Sequence, residues 1–199
     1  GVISGTPVNA DVGAHTITVT CTDGSNAAAT DEYVLTVTNT NDAPTVASAI
    51  SDVSAAEDAA YSLDISSVFT DMDVGDSLSY TISGAPSTIT HTSGTISGTP
   101  VNADVGTHTI VVTATDSSSA AATVTDTYVL TVTNTNDAPT VASAISDVSA
   151  AEDTAYSLDA SGTCTDVDAS DSMDYTISGG PSTITATTAG VISGTPVNA

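Results

Sequence analysis

Residues 106–115 read GTHTIVVTAT, and residues 127–133 read TYVLTVT. In both stretches two kinds of position alternate. In the first stretch, Thr or Val occupies every second position and the positions between them are His108, Ile110, Val112 and Ala114. Residues 13–22 (GAHTITVTCT) and 32–38 (EYVLTVT) repeat both patterns. Alternation with a period of two predicts half-buried β-strands. Turn signals such as Asp-Gly, Gly-Thr-Pro and Asn-Asp-Ala-Pro separate the segments, so about seven strands per repeat are expected. We therefore predict an all-β protein of tandem antiparallel β-sandwich domains in a linear array.

Repeated landmarks divide the chain into one complete repeat and two partial ones. The sequence GVISGTPVNA occurs at residues 1–10 and again at 190–199, and Asp-Ala-Pro occurs at 42–44 and at 137–139. A spacing of roughly 95 residues fits one small domain. We predict that residues 1–41 are the C-terminal part of a repeat, that 42–136 are a complete repeat, and that 137–199 are the N-terminal part of the next. Residues equivalent to 11–41 of a following unit would complete that last part, as in a longer periodic polypeptide.

The charge composition excludes several classes of function. The chain has no Lys or Arg and 24 Asp plus Glu. Nothing can neutralise phosphates, so we expect no binding to nucleic acid or to anionic membrane surfaces. No apolar run approaches the ~20 residues of a spanning helix, so we expect no membrane insertion. No nucleophile–His–acid set, phosphate-binding glycine loop or zinc motif is present, and the protein is not expected to be an enzyme.

The segments ISGTPVNADVG, TATD and NTNDAP carry a resemblance to a known family. They are similar to the cadherin-like domains of bacterial surface proteins, and most of all to the dystroglycan-type or putative-Ig repeat of giant adhesins and matrix proteins. The resemblance covers essentially the whole chain. It implies Ig/cadherin-like sandwiches, an extracellular or cell-surface location on a bacterium or archaeon, and Ca²⁺ bound at the junctions between domains.

The family pattern implies two sets of calcium ligands in this sequence. At the second junction they are Glu57, Asn134, Asn136, Asp137, Asp166 and Asp168, with the equivalent of Asp23 from a following unit. At the first junction they are Asn39, Asn41, Asp42, Asp71, Asp73 and Asp116, and the Glu that would join them precedes residue 1. Glu152 is the corresponding Glu of the last repeat. The Asp-Arg-Glu ligands of true cadherins are missing, which implies one or two ions per junction.

A physical argument for a cation stands beside the resemblance. Converging carboxylates repel one another, and a chain without Lys or Arg cannot relieve that repulsion with internal salt bridges. Calcium takes six to eight oxygen ligands, which carboxylates and amides supply. Acidic loops that splay into solvent are the alternative. The stretch 71–76 (DMDVGD) lacks EF-hand spacing and is not interpreted as one.

The two cysteines, Cys21 and Cys164, lie in different partial repeats. In the complete repeat their positions are occupied by Ala114 and Phe69. The exchange of a small and a large residue for two cysteines suggests that the two positions touch across the sandwich. We predict a disulfide between Cys164 of one repeat unit and Cys21 of the next, which would fit an oxidising compartment. Two buried free thiols are the alternative.

These observations favour a structural function. We expect a repeat segment of an extracellular fibre, filament or adhesin stalk, rigidified by calcium. Its partners would be copies of itself arranged head-to-tail, through covalent continuation or a neighbouring subunit. One alternative is an adhesin module that binds glycan or a cell-surface protein. Another is a non-covalent polymer in which residues 1–41 of one subunit complete residues 137–199 of the next. Against it, the decapeptide at both ends would compete for one position.

Overall fold

The computed structural model describes residues 1–73, 75–118, 121–169 and 171–197, and almost all of its regular structure is strand. The strands in chain order are β1 (Gly13–Thr22), β2 (Ala28–Val37), β3 (Thr45–Val46), β4 (Val53–Ala56), β5 (Tyr61–Asp64), β6 (Phe69–Thr70), β7 (Ser79–Ser83), β8 (Ile89–Thr92), β9 (Thr95–Gly98), β10 (Gly106–Thr115), β11 (Thr123–Thr133), β12 (Thr140–Val141), β13 (Tyr156–Asp159), β14 (Cys164–Thr165), β15 (Ile184–Ala186) and β16 (Val191–Gly194). Single 3₁₀ turns at Asn9–Asp11 and Asn102–Asp104 precede β1 and β10. Within these ranges, no helix is long and apolar enough to cross a membrane.

The chain forms two compact units. The first comprises Gly1–Ala55 and Ala59–Val132, and the second comprises Ala56–Asp58 and Thr133–Ala199. The first unit contains the hairpin β1–β2 and the strands of a complete sandwich. The second contains a smaller set of strands, which begins after the linker that follows β11.

The complete sandwich is built from two sheets, in which β7, β10 and β11 pair antiparallel and so do β5, β9 and β8. One sheet has the order β4-β11-β10-β7 and the other has the order β5-β9-β8, and a short ladder joins β3 to β6. Side chains of one parity on β10 and β11 meet those of β5, β8 and β9 in a single core. Its fully buried members include Ile96, Ile110, Val112, Ala114 and Leu130. The antiparallel sandwich predicted from the alternating stretches is therefore confirmed. Between residues 42 and 136 the described chain has nine strands rather than about seven, because β3 and β6 add a two-residue ladder.

The hairpin β1–β2 repeats the geometry of β10–β11 without its burial. Gly13 pairs with Val37 as Gly106 pairs with Val132, and the two ladders keep the same register throughout. Tyr33 is 42% exposed and Leu35 is 42% exposed, whereas their equivalents in the sandwich, Tyr128 and Leu130, are 1% and 0% exposed. The apolar face of this hairpin is therefore open.

The second unit contains only part of a sandwich. Its sheet β13-β16-β15 and its ladder β12-β14 match β5-β9-β8 and β3-β6 in order and register. Residues 148–151 and 174–178 match β4 and β7 in sequence, but neither segment forms a strand. In the complete sandwich β4 pairs with β11 and β7 pairs with β10. Residues 137–197 include no equivalent of either partner, so both segments lack the strand that would hold them.

Candidate metal centres

Three carboxylates from separate parts of the sequence converge in the second unit. Glu57 follows β4, Asp137 lies in the linker after β11, and Asp168 lies in the loop after β14. Each offers an oxygen within 4.8 Å of the oxygens of the other two. Glu57 is 1% exposed and Asp168 is 3% exposed, and Asp137 is half-buried. We call these three residues the Glu57 cluster.

Backbone amides hold the Glu57 cluster in place. The N–H of Thr135 donates to Glu57 Oε1 at 2.7 Å, and the N–H of Glu57 donates to the carbonyl of Thr133 at 3.0 Å. The N–H of Asp137 donates to Asp168 Oδ2 at 2.7 Å. The second oxygen of Glu57, Oε2, is buried and has no hydrogen-bond partner among the described residues. An unsatisfied buried carboxylate oxygen is costly, and a bound cation removes that cost.

Electrostatics in this cluster favour a positive ligand. Burial raises the pKa of Asp137, and repulsion from the carboxylates of Asp58, Asp168 and Asp166 raises it further. The chain has no Lys or Arg that could offset this repulsion. A divalent cation would be the largest local charge and would stabilise the ionised form of these groups.

A second group of carboxylates occupies the equivalent loop of the first unit. Asp71, Asp73 and Asp76 offer oxygens within 4.8 Å of one another, and Asp73 is 4% exposed. The N–H of Asp42 donates to Asp73 Oδ2 at 2.7 Å, as Asp137 does to Asp168 in the other unit. Asp71 Oδ2 is buried without a hydrogen-bond partner in the described chain. We call these residues the Asp73 cluster.

Asn41 and Asp116 lie beside the Asp73 cluster. The amide of Asn41 donates to Asp116 Oδ2 at 3.0 Å and to the carbonyl of Asp42 at 3.0 Å. The hydroxyl of Ser118 and then the amide of Asn41 lower the pKa of Asp116, so this carboxylate is held in its charged form. Asn41 Oδ1 is buried and without a partner among the described atoms, which leaves a further oxygen available to a cation.

Nine of the fourteen ligands implied by the resemblance lie outside both clusters. Four of the nine are Asn41, Asp42, Asp116 and Asp166, whose hydrogen bonds are described separately, and the other five are Asn39, Asn134, Asn136, Asp23 and Glu152. Asn39, Asn134 and Asn136 are exposed linker residues, and the amide of Asn136 donates to the carbonyl of Asp137 at 2.8 Å. Asp23 is exposed and closes its own turn by accepting from the N–H groups of Ser25 and Ala27. Glu152 is exposed, although it occupies the position of Glu57.

The carboxylate of Asp166 contacts the Glu57 cluster by accepting from the backbone of Asp168. Two further residues at the Asp73 cluster, Asp76 and Asn9, were not anticipated from the sequence. Asp166 Oδ1 accepts from the N–H of Asp168 at 2.9 Å. Asp76 belongs to the Asp73 cluster, and its N–H donates to the carbonyl of Asp73 at 3.2 Å. Asn9 donates to Asp73 Oδ1 at 3.2 Å. The position of Asp76 three residues after Asp73 was a usable signal, whereas no local pattern links Asn9 to this loop.

The donor atoms determine which cations these clusters could hold. All the carboxylate and amide ligands present oxygen, and no Cys or His joins either cluster of described residues. An all-oxygen set suits hard cations such as Ca²⁺ and Mg²⁺. Both clusters lie in irregular loops next to strand ends, where flexible coordination is possible, and this favours the larger Ca²⁺.

Both cysteines are free in this chain, Cys21 being exposed and Cys164 half-buried. Their equivalents in the complete sandwich, Ala114 and Phe69, belong to one core. Tyr80 connects them, since its ring lies 5.9 Å from that of Phe69 and its Cα pairs with that of Ala114. The disulfide between repeat units stays a prediction.

The two facing sheets define an Ig-like β-sandwich of the kind found in cadherin extracellular domains. The chain belongs to the Putative Ig domain family, whose model matches residues 1–38 and 43–133. It is similar to the EC1-3 segment of protocadherin gamma C5, with 18% identity, a TM-score of 0.51, and coverage of 94% of this chain and 68% of that chain. The EC3-6 cis-dimer structure of protocadherin gammaB7 gives 18% identity, a TM-score of 0.50, and coverage of 93% and 52%.

An endo-fucoidan hydrolase of glycoside hydrolase family 107 is also similar, with 23% identity and a TM-score of 0.43. The match covers 98% of this chain and 31% of the hydrolase, so this chain spans about a third of that protein's length. No curated protein sequence matches the chain. The protocadherin similarities show the fold alone.

Proposed function

We propose that this chain is a structural repeat segment of an extracellular fibre or stalk, and that its acidic clusters bind Ca²⁺. The observation that supports this most is Glu57 Oε2, a buried carboxylate oxygen without a hydrogen-bond partner among the described residues, beside Asp137 and Asp168. In a chain without Lys or Arg, a bound cation would satisfy this oxygen. Glu57, Asp137 and Asp168 would hold one ion, and Asp71, Asp73 and Asp76 would hold another.

The ion would stiffen the linker between repeats. Glu57 contacts residues 133–135 through its backbone and side chain, and Asp137 contacts Asp168 through its backbone. An ion bound to all three carboxylates would add a third connection between the strand end at Glu57, the linker and the loop at Asp168. The linker after β11 would then be less flexible than an acidic linker that is exposed to solvent and binds no ion.

An extracellular location on a bacterial or archaeal cell is part of the same proposal. Extracellular calcium modules bind their ions with dissociation constants of about 10⁻⁴–10⁻³ M, which suits the calcium concentration outside cells. The family membership and the fold of protocadherin extracellular domains support this location.

Recognition of a glycan or protein ligand has less support. An exposed aromatic residue would favour it, and Tyr33 is 42% exposed. However, Tyr33 lies on the hairpin face whose equivalent is buried in the complete sandwich, where Tyr128 is 1% exposed. This favours protein packing as the role of Tyr33.

Calorimetry with the full chain tests the calcium proposal. We expect Ca²⁺ to raise the melting temperature relative to EDTA, and Asp168→Asn to weaken calcium binding by about tenfold or more, because it removes one charge from a buried ligand. Asp147→Asn, which changes an exposed carboxylate outside both clusters, should bind calcium as the parent does. Identical melting curves in Ca²⁺ and EDTA would contradict the proposal.

A further inference from the structure

We infer that two apolar surfaces left open in this chain bind each other between copies, so that the hairpin of one copy completes the partial sandwich of another. The hairpin face consists of six residues that share the inward parity of β1 and β2: Ile17, Val19, Cys21, Tyr33, Leu35 and Val37. The open face lies on the second unit and is the surface of the sheet β13-β16-β15 together with residues 148–151 and 174–178. The inference deepens the proposed function, on which its calcium component rests.

The open face contains a cavity where the hairpin would sit. The cavity has a volume of about 390 Å³ and is lined mainly by apolar residues, among them Val148, Ala150, Tyr156, Ile177, Ile184 and Ile192. Their equivalents in the complete sandwich pack in or against its core: Val53, Ala55, Tyr61, Ile82, Ile89 and Ile96. Ile96 is 0% exposed and Ile89 is 4% exposed, whereas Ile192 and Ile184 are only half-buried. The open face is therefore a sandwich core without its covering strands.

The covering strands in the complete sandwich are β10 and β11, and the hairpin has their sequence pattern. Tyr128 reaches Tyr61 across the core, with 3.3 Å between the two hydroxyl oxygens. The equivalent pair would be Tyr33 of one copy and Tyr156 of the other. Ile82 pairs with Val112 in the sandwich, so Ile177 would pair with Val19. The apolar residues named for the two surfaces carry no charge, whereas Asp31 shares their parity on β2 and Asp174 lies in the segment 174–178. The occupied form of the same interface already exists within this chain.

The duplicated decapeptide does not prevent this association. In the second unit β16 lies between β13 and β15, so the position of β9 is already filled by residues 191–194. Residues 1–8 form no strand, and Val2 and Ile3 are 91% and 66% exposed. The docked segment would therefore begin at β1. Residues 3–7 line a cavity of about 530 Å³ with Ile17, Tyr33 and Leu35, and would move away from the hairpin on binding.

Association would also complete a second acidic cluster. In the sandwich, Glu57 accepts from the N–H of Thr135 and lies beside Asp137 and Asp168. The residues equivalent to Thr135, Asp137 and Asp168 one repeat earlier are Thr40, Asp42 and Asp73. The residue equivalent to Glu57 one repeat later is Glu152. Docking would place Glu152 of one copy beside Asp42 and Asp73 of the other, so a cation would bind more tightly in the assembled form. Assembly and calcium binding would then favour each other.

Sedimentation velocity of the full chain tests the inference. The contact joins two different surfaces, so each copy can engage two others, in a closed ring or in an open head-to-tail chain. In Ca²⁺ we expect species at multiples of 19.5 kDa that grow with concentration. Leu35→Asp places a charge on the hairpin face and should weaken association by more than about a hundredfold. Val34→Asp changes the neighbouring residue on the opposite face of β2, and it should assemble as the parent does.

Leu35 lies outside the core of the complete sandwich, so unchanged melting of that domain verifies that the variant is folded. A parent chain that stays at 19.5 kDa in Ca²⁺ at every concentration would overturn the inference, and so would equal association of the two variants. Calcium binding without assembly would overturn it while leaving the proposed function intact. Assembly that depends on Leu35 but is unchanged in EDTA supports the apolar interface and removes the role assigned to Glu152.

Discussion

Single side chains in this protein differ in state although their local sequences are nearly the same. Tyr33 and Tyr128 both precede Val-Leu-Thr-Val-Thr, yet one is 42% exposed and the other 1%. Burial raises the pKa of the Tyr128 phenol far above its usual range, and the hydrogen bond to Tyr61 raises it further. Glu57 and Glu152 also differ in burial, since Glu57 is buried and Glu152 is exposed. Glu57 packs against the strand end at residues 133–135, where the N–H of Thr135 donates to its carboxylate. Each residue's environment is thus set by strands distant in sequence.

The two cysteines allow a prediction about disulfide pairing between copies of the chain. If the hairpin of one copy covers the open face of another, Cys21 and Cys164 occupy the positions of Ala114 and Phe69 in one core. With oxidised glutathione as oxidant, the two thiols should form one intermolecular disulfide and release two molecules of reduced glutathione. Non-reducing electrophoresis should show a ladder at multiples of 19.5 kDa that dithiothreitol abolishes. Cys21→Ser should remove the ladder, and free thiols in the oxidised, assembled parent chain would contradict the pairing.

Among the elements, the strand pairs show how far the sequence predicts the fold. Alternation alone predicts β10, β11 and their copies in β1 and β2, because the pattern is long and regular. The pattern Tyr-Thr-Ile-Ser occurs at residues 80–83 and at 175–178, but only the first lies in a strand. A strand requires a hydrogen-bonded neighbour, and the neighbour of β7 is β10, which is about 30 residues away in the sequence. The difference is therefore not contained in the local pattern.

The same limit applies to the candidate metal centres. The resemblance named Glu57, Asp137 and Asp168, which the fold brings together from three separate segments. It also named Asp23 and Glu152, whose proposed neighbours would come from another repeat. Asn9 was missed because its contact with Asp73 joins residues far apart in the sequence, and no motif records it. Ligand type was predictable from residue chemistry, whereas proximity depended on the tertiary structure.

A matched pair of substitutions on equivalent strands measures how much burial contributes to the stability of the sandwich. Leu130→Ala should destabilise the complete sandwich by about 2–5 kcal/mol, because it leaves a cavity in a packed core. Leu35→Ala, at the equivalent position of β2, should change the stability of that domain by less than about 0.5 kcal/mol under monomeric conditions. Chemical denaturation of both variants checks this. Equal losses would mean that the hairpin face is covered within the single chain.

Charge dominates the behaviour of the whole molecule. The formal net charge is −24 with no Lys or Arg, so intramolecular repulsion is relieved mainly by protons, screening salt or bound cations. Six of the 24 acidic residues form the two clusters, and each cluster includes a buried oxygen that no described group satisfies. Ionic conditions should therefore affect this protein more than a domain with balanced charge.

The raised pKa of Asp137 gives a pH prediction for the second unit. A carboxyl whose folded pKa lies above its unfolded value binds more protons in the native state between those two values. In EDTA, stability should therefore fall as the pH rises through that interval, from about 4 upward. In saturating Ca²⁺ the dependence should reverse, because ligands must be ionised to bind the metal. Melting temperatures between about pH 3.5 and about pH 6.5, a range that begins near the unperturbed pKa of a carboxyl group, check both signs. The same slope in EDTA and in Ca²⁺ would show that Asp137 is not a ligand.

The connection between Glu57 and residues 133–135 has a mechanical consequence. The backbone N–H of Glu57 bonds the carbonyl of Thr133, and its carboxylate receives the N–H of Thr135. A pulling force applied to the chain at Asp137 reaches these bonds before it can peel β11 from its neighbours. The two hydrogen bonds between Glu57 and residues 133–135 must therefore break before β11 can separate. If the protein forms a fibre under tension, these bonds would set the force at which the fibre first extends. An ion bound by both Glu57 and Asp137 would raise that force.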